Sequence, residues 1–235
     1  MTSVYIDGIG ILSSSVHSNE DLVATAARLL QGEKAASAPD GAAFAEAFDF
    51  DLGVPSSKVR RAPRYAKLAV ASSAQALADA DVEADRAAIG TIFTSGYGPV
   101  ENNAAFADSV AEGAPLLASP TVFSYTVPNA CLGQVCIVHG LQGPSTMLLA
   151  GDAAEYAALL LAGGKAPHIL CGAVEDPTAE LRASFDAAGA LSSEKIAGGA
   201  VTLLLSAKSS AKSYCRITKF ASAALPVYPY VSRLS

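Results

Sequence analysis

Apolar runs with strand character alternate along the chain with segments of helical periodicity. The first run, "VYIDGIGIL", is rich in β-branched residues and predicts a strand over residues 4–12, whose glycines permit a bulge. Apolar residues then recur at helical spacing in "LVATAARLL" at residues 22–30, behind a polar cap. Residues 33–63 have no sustained period and predict a long surface excursion. A stripe of small residues beginning near Tyr65 predicts a long, well-buried helix.

The remainder of the chain continues this alternation. Strands are predicted for "AAIGTIFTSGYG", for residues 145–149 and for "HILCGAV", with helices in "VENNAAFADSVAEG", from Cys131 to Leu141 and directly after Asp152. "GGAVTLLLS" and "YCRITKFAS" predict two closing strands that form an antiparallel pair at one side of the sheet. The pattern indicates a single layered α/β domain over residues 1–235.

Composition narrows the function classes. The 22 acidic and 16 basic residues give a net charge of −6, which argues against a nucleic acid or an anionic lipid surface as the partner. Hydrophobic residues make up 51% and charged residues only 16%, so an apolar face for a protein partner is expected. No apolar run of roughly 18 residues and no basic leader is present, so we expect no membrane span and a cytoplasmic location.

Candidate chemistry in the chain is sparse. Four cysteines without a CxxC pair predict reduced core thiols, with no metal site and no cofactor. "GYGPVE" lacks the other glycines and the lysine of a phosphate-binding loop. Each of the three histidines, His17, His139 and His168, is predicted to be a surface or structural residue.

Five strings in order, "VYIDGIGILSS", "IGTIFTSGYG", "SPTVFSYTVPNACLGQVCIVHGLQGPS", "HILCGAVED" and "FDAAGALSSEKIAGGAVTLLLS", resemble the N-terminal half of the β-ketoacyl synthases. These are the condensing enzymes of fatty acid and polyketide synthesis, and they have the thiolase fold. The resemblance implies a thiolase-like half: an α/β domain with a mixed, mostly parallel sheet of about five strands and helices on both faces.

The resemblance also implies that the usual nucleophile is missing. In that family the strand after "GP" enters a sharp turn whose tip carries the catalytic cysteine, and a helix starts directly behind it. Counting along "GPSTMLLAGDAAEYA" places Asp152 at that tip, where it is expected to cap the helix. The family's second half, which supplies two histidines (or one histidine and one asparagine) and a lysine, has no counterpart here. We therefore expect no catalytic residue and no condensing activity by the chain alone.

An interface is implied by the same resemblance. In the full condensing enzymes, the strand before the nucleophile turn pairs with its counterpart across the dimer, and the "P-N" segment lies beside it. The residues carried over are Val127, Pro128, Asn129, Ala130, Ser145, Thr146, Met147, Leu148 and Leu149. Inactive relatives called chain-length factors pair with active ketosynthases in polyketide and aryl polyene pathways. The expected partner is thus a full-length ketosynthase or a second copy, with an acyl carrier protein as a further candidate.

Other interpretations of these residues remain open. Asp152 could accept an acyl group, as an acyltransferase or decarboxylase of acyl thioesters, if a partner chain supplied an oxyanion hole. The chain could instead be a self-associating scaffold. Cys131 could be a displaced nucleophile, although it sits in an apolar helix, and Glu175 and Asp176 could form an acid and base pair, although the resemblance makes them a structural turn.

Overall fold

The computed structural model describes residues 3–13, 49–80, 85–112, 118–188, 198–218 and 220. Within these residues the chain forms six strands and six α-helices, together with short 3₁₀ turns at Ser56–Lys58 and Arg86–Ala88. The order is β1 (Val4–Ser13), α1 (Arg64–Ala80), β2 (Gly90–Ser95), α2 (Val100–Glu112), α3 (Pro120–Phe123), α4 (Asn129–His139), β3 (Ser145–Leu149), α5 (Ala153–Ala162), β4 (His168–Glu175), α6 (Ala179–Ala187), β5 (Gly199–Ser206) and β6 (Cys215–Ile217).

The strands form one mixed sheet in the order β3-β2-β4-β5-β1-β6. β2 is parallel to both β3 and β4, whereas β5 is antiparallel to β4 and β1, and β6 is antiparallel to β1. The predicted α/β fold with a mixed sheet is confirmed. The sheet has one strand more than the expected five or so, and its antiparallel pairings outnumber its parallel ones.

The two closing strands do not pair with each other, which corrects the sequence prediction. β1 lies between them, with β5 along one side and β6 against only the first residues of the other, because a local apolar pattern marks a strand but not its neighbours in the sheet. β5 therefore pairs with the whole of β1 from Tyr5 to Ser13, while the short β6 reaches only Val4 to Ile6.

One face of the sheet is covered by α1 and α4. The helix α1 crosses β1 at very close range, because a Cβ atom on Gly8 would lie 2.2 Å from the Ala76 carbonyl oxygen, and one on Gly10 would lie 1.9 Å from that of Ser72. Buried side chains of α1 and α4 pack with β2, β4 and β5 into the larger core. The predicted long helix near Tyr65 is confirmed.

The opposite face is covered by α5, so the expected helices on both faces are present. Ala153, Ala157 and Leu161 follow one stripe of α5 and pack against β2, β4 and β5 in a second core. The other side of α5 is also apolar, and its Leu159 is 65% exposed. Some of the chain's apolar side chains are thus exposed on the outer side of α5.

Not every sequence prediction falls on described residues. The helix predicted at residues 22–30, and His17, lie outside them. The short helix α3 and the helix α6 lie in segments for which the sequence pattern predicted no helix. Cys131 and Cys171 are buried, as expected for core thiols, but Cys215 is exposed because it lies on the edge strand β6.

Candidate functional site

The strand β3 lies at one edge of the sheet, and no strand in the described residues pairs with its outer side. Its hydrogen-bonding direction follows from its end, where the Ala150 amide donates to the Ser95 carbonyl oxygen on β2 at 3.1 Å. Since successive residues of a strand point their backbone groups to opposite sides, Ser145, Met147 and Leu149 direct theirs outward. The edge is a row of backbone groups open to a partner strand.

A sharp turn joins β3 to α5. Ala150 has φ of 57°, in the left-handed region that disfavours side chains, and the Gly151 amide donates to Thr94 Oγ1 at 3.3 Å. Asp152 follows as the N-cap of α5. Its Oδ1 accepts from the amides of Ala154 at 2.9 Å and Glu155 at 3.0 Å. The expected helix cap is therefore present, on an exposed side chain.

A second turn, Ser95–Gly98, follows β2 at the same end of the sheet. Glu175, the last residue of β4, accepts from the Ser95 hydroxyl at 3.1 Å, from the Gly96 amide and from the Tyr97 amide at 3.3 Å. Burial raises the pKa of the Glu175 carboxyl, and these three donors partly oppose the shift. Glu175 thus links the end of β4 to the end of β2 by hydrogen bonds.

Asp176 has a separate partner from its neighbour. Its Oδ1 accepts from Arg64 Nη1 at 2.6 Å, in an ion pair that joins the start of α1 to the end of β4. Burial raises the pKa of Asp176, while Arg64 lowers it. The two adjacent carboxylates thus bind different groups, in agreement with a structural turn and not with a paired acid and base.

Cys131 lies in α4, in the interior. Its side chain is 0% exposed, its thiol donates to the Pro128 carbonyl oxygen at 3.2 Å, and the Tyr65 hydroxyl lies beside it. Burial raises the pKa of Cys131 to about 12, so at neutral pH it is a thiol and not the reactive thiolate. Cys171 is buried to the same effect, with its pKa also raised to about 12.

Both described histidines occupy structural positions. His139 is the last residue of α4, and its Nε2 lies 3.1 Å from the Val70 carbonyl oxygen. Burial lowers the pKa of His139, and it also lowers that of His168, the first residue of β4. Neither imidazole lies at the Asp152 turn. His168 begins β4 and His139 precedes β3, so both are near the end of the sheet where these strands start, whereas Asp152 follows the end of β3.

The structure brings the two predicted interface segments together. A groove of about 490 Å³ runs between α4 and β3, with Asn129 and Ile137 on one side and Ser145 and Met147 on the other. Ile137 is 79% exposed and Leu149 is 67% exposed. Val127, Pro128 and Ala130 precede or begin α4 beside this groove. Thr146 and Leu148 are half-buried and direct their backbone groups toward β2. Apolar side chains and open backbone groups are therefore adjacent.

One charged feature, a basic pocket, was not predicted from the sequence. Lys58, Arg60 and Arg61 surround a small polar pocket of about 250 Å³, closed on its other side by Tyr125 and Gln134. The run "KVRR" was the available signal, and the net charge of −6 obscured it. This basic pocket is a cationic spot on an acidic protein.

Two kinds of site are absent from the described part of the chain. Histidine, cysteine and acidic side chains do not gather there in threes at a spacing that could hold a metal ion. Its helices are also too short or too polar to cross a bilayer.

Comparison with known proteins identifies the family. Residues 35–226 match the family described as "Beta-ketoacyl synthase, N-terminal domain", and the chain belongs to that family. The 3-oxoacyl-[acyl-carrier-protein] synthase 2 of Vibrio cholerae serotype O1 is 29% identical over 160 residues. That match covers 64% of this chain but only 39% of the Vibrio enzyme.

Solved structures share the fold. The ishigamide ketosynthase/chain length factor superimposes with a TM-score of 0.69 at 23% identity, covering 87% of this chain and 62% of the matched chain. A ketosynthase in complex with its chain length factor from Xenorhabdus doucetiae gives a TM-score of 0.65 at 20% identity, covering 88% of this chain and 79% of the matched chain. The protein is thus ketosynthase-like in fold.

Proposed function

We propose that this protein is a non-catalytic ketosynthase-like subunit, of the chain-length-factor kind, that pairs with a full-length ketosynthase. The pathway class is fatty acid, polyketide or aryl polyene biosynthesis. The observation that carries the proposal is the turn after β3, where Asp152 stands at the position that the family resemblance gives to the nucleophilic cysteine and binds two amides of α5.

The chemistry of Asp152 supports a silent turn. Its Oδ1 accepts from the Ala154 and Glu155 amides, so the carboxylate is oriented as a helix cap, which is a common structural role for aspartate at the start of a helix. An acyl group moved from a thioester to a carboxylate would form a mixed anhydride, which is higher in energy than the thioester. No described cysteine replaces it at this turn: Cys131 and Cys136 lie on α4, Cys215 lies on β6 at the other side of the sheet, and Cys171 is a buried thiol with a raised pKa.

The comparisons support the choice of partner. One matched structure is a ketosynthase bound to its chain length factor, and this chain covers 79% of the chain it matches there, against 62% for the ishigamide structure. The Vibrio relative is named for synthesis on an acyl carrier protein, which makes a carrier protein the second candidate partner.

The geometry of β3 supports a strand-to-strand interface. Outward backbone groups at Ser145, Met147 and Leu149 pair with a partner strand in this proposal, and the groove beside α4 receives apolar side chains. Obligate interfaces commonly bury more than about 2,000 Å² in total, so the partner is expected to cover Ile137 as well. The basic pocket at Lys58, Arg60 and Arg61 lies outside this groove and is free to receive an acidic carrier protein.

The test is complex formation with a ketosynthase of the source organism, measured by light scattering after size-exclusion chromatography. We expect a one-to-one heterodimer. Met147→Pro removes one outward donor without touching the bonds to β2, so it should abolish the complex, whereas Met147→Ile keeps the donor and should retain it. A wild-type protein that stays a folded monomer with every ketosynthase offered would refute the proposal.

A further inference from the structure

The two edges of the sheet are built differently. At β3 the outer backbone groups have no strand partner in the described residues. At the other side, β6 pairs with β1 only at Val4, Tyr5 and Ile6, so among the described residues the rest of β1 has no strand partner there and forms a second edge. An edge of that length can pair with a strand of another chain unless its backbone groups are covered.

Side chains of α1 occupy two amide donors of that second edge. The Ile9 amide donates to Asp79 Oδ2 at 2.8 Å, and the Ile11 amide donates to Gln75 Oε1 at 2.9 Å. Because these two amides bond to α1, they do not take part in the ladder with β5, and they are the groups that an added strand would need.

The close contact between α1 and β1 makes this capping possible. Gly8 and Gly10 leave no room for a Cβ atom under the α1 backbone, which lets the helix descend until Gln75 and Asp79 reach over the strand. Asp79 is itself held, since its Oδ1 accepts from the Tyr214 hydroxyl at 2.8 Å. Two glycines, two capping side chains and one tyrosine act together on one edge.

We infer that α1 closes the β1 edge against strand addition, so that a second subunit joins through β3 and the assembly stops at two chains. One open edge gives a closed pair, whereas two open edges on one sheet give an open-ended filament. The inference rests on the proposed function for the identity of the β3 partner, but the closure of β1 is a property of this chain alone.

Amide hydrogen exchange tests the caps one at a time. Asp79→Ala should raise the exchange rate of the Ile9 amide at least about tenfold and leave Ile11 unchanged, and Gln75→Ala should do the reverse. Each variant carries its own reference, because the other capped amide reports whether the sheet is still folded. Unchanged exchange at the uncapped amide would overturn the inference.

Sedimentation velocity then tests closure itself, without a ketosynthase present. The double variant Gln75→Ala/Asp79→Ala should at least double the weight-average mass relative to wild type at equal concentration, and its mass should keep rising with concentration. Gln75→Glu/Asp79→Asn keeps both acceptor oxygens and should match wild type. A folded double alanine variant of wild-type mass would refute the inference. Failure of wild type to bind a ketosynthase would refute the proposed function instead.

Discussion

Two turns at the same end of the sheet bind a carboxylate in contrasting ways. After β2, the amides of Gly96 and Tyr97 bind Glu175, which is 78 residues or more away in sequence and partly buried. After β3, the amides of Ala154 and Glu155 bind Asp152, which is local and exposed. The first carboxylate fastens two strands, and the second only begins a helix.

The difference shows how much stability each turn would lose if its carboxylate were replaced. Backbone amides at a strand-to-helix turn can stabilise an anion during catalysis, but here both sets are filled by the protein's own carboxylates. Loss of Glu175 should be costly, because the Ser95 hydroxyl at the end of β2 and the half-buried amides of Gly96 and Tyr97 would lose their acceptor. Asp152 stands where the family resemblance expects a catalytic cysteine, and its loss costs only a cap. At the turn after β3, a catalytic residue can therefore be replaced by a helix cap with little effect on the rest of the fold.

Removal of Glu175 should have the largest effect. Glu175→Ala leaves the Ser95 hydroxyl and two amides without their acceptor and should lower the free energy of unfolding by about 2–3 kcal/mol, measured by urea denaturation. Glu175→Gln keeps one acceptor oxygen and should lose clearly less. Equal losses in the two variants would contradict the fastening role.

Removal of the Asp152 cap should cost less. Asp152→Ala is expected to lower the free energy of unfolding by about 1 kcal/mol, and Asp152→Asn, which keeps a capping oxygen, should be nearly neutral. Asp152→Cys should not produce a condensing enzyme from the isolated protein. Condensation of acyl and malonyl units by that variant would disprove the view that the family's second half is indispensable.

Relief of the strained turn should raise stability. Ala150 has a positive φ, so Ala150→Gly removes a left-handed strain of about 1 kcal/mol and gives part of it back as entropy of the unfolded chain. We expect a higher melting temperature for this variant. Ala158→Gly, inside α5, should lower it, and a decrease in both variants would contradict the turn geometry.

The smallest effect is on the pH dependence of stability. Burial raises the pKa of Glu175 above its ordinary value of 4.5, so the folded protein binds this proton more tightly than the unfolded chain does. The stability contributed by this group therefore falls as pH rises through the window from 4.5 to the raised pKa. Lowering the pH from about 7 toward 5 should stabilise wild type relative to Glu175→Gln in parallel urea titrations. An identical pH profile would show that burial does not raise the pKa of Glu175.

The sequence predicted those parts of the fold that depend on local pattern. The β3 strand, the Asp152 cap and the α5 helix were all readable, because an apolar run, a turn and an alanine-rich segment follow each other directly. The place of β5 between β4 and β1 was not, since strand order depends on long-range pairing that leaves no local mark. The bonds from Glu175 to the turn after β2, and the grouping of Lys58, Arg60 and Arg61 around one pocket, depend likewise on distant residues meeting.

In the proposed function, this chain binds a ketosynthase and carries no acyl group itself. Native mass spectrometry of the protein mixed with a ketosynthase of its source organism and isotopically labelled acyl carrier protein tests both parts at once. We expect a one-to-one heterodimer in which the acyl mass resides on the ketosynthase, with this chain unmodified at Asp152 and at all four cysteines. A stoichiometric acyl adduct on this chain, or its exclusive presence as a monomer, would contradict it.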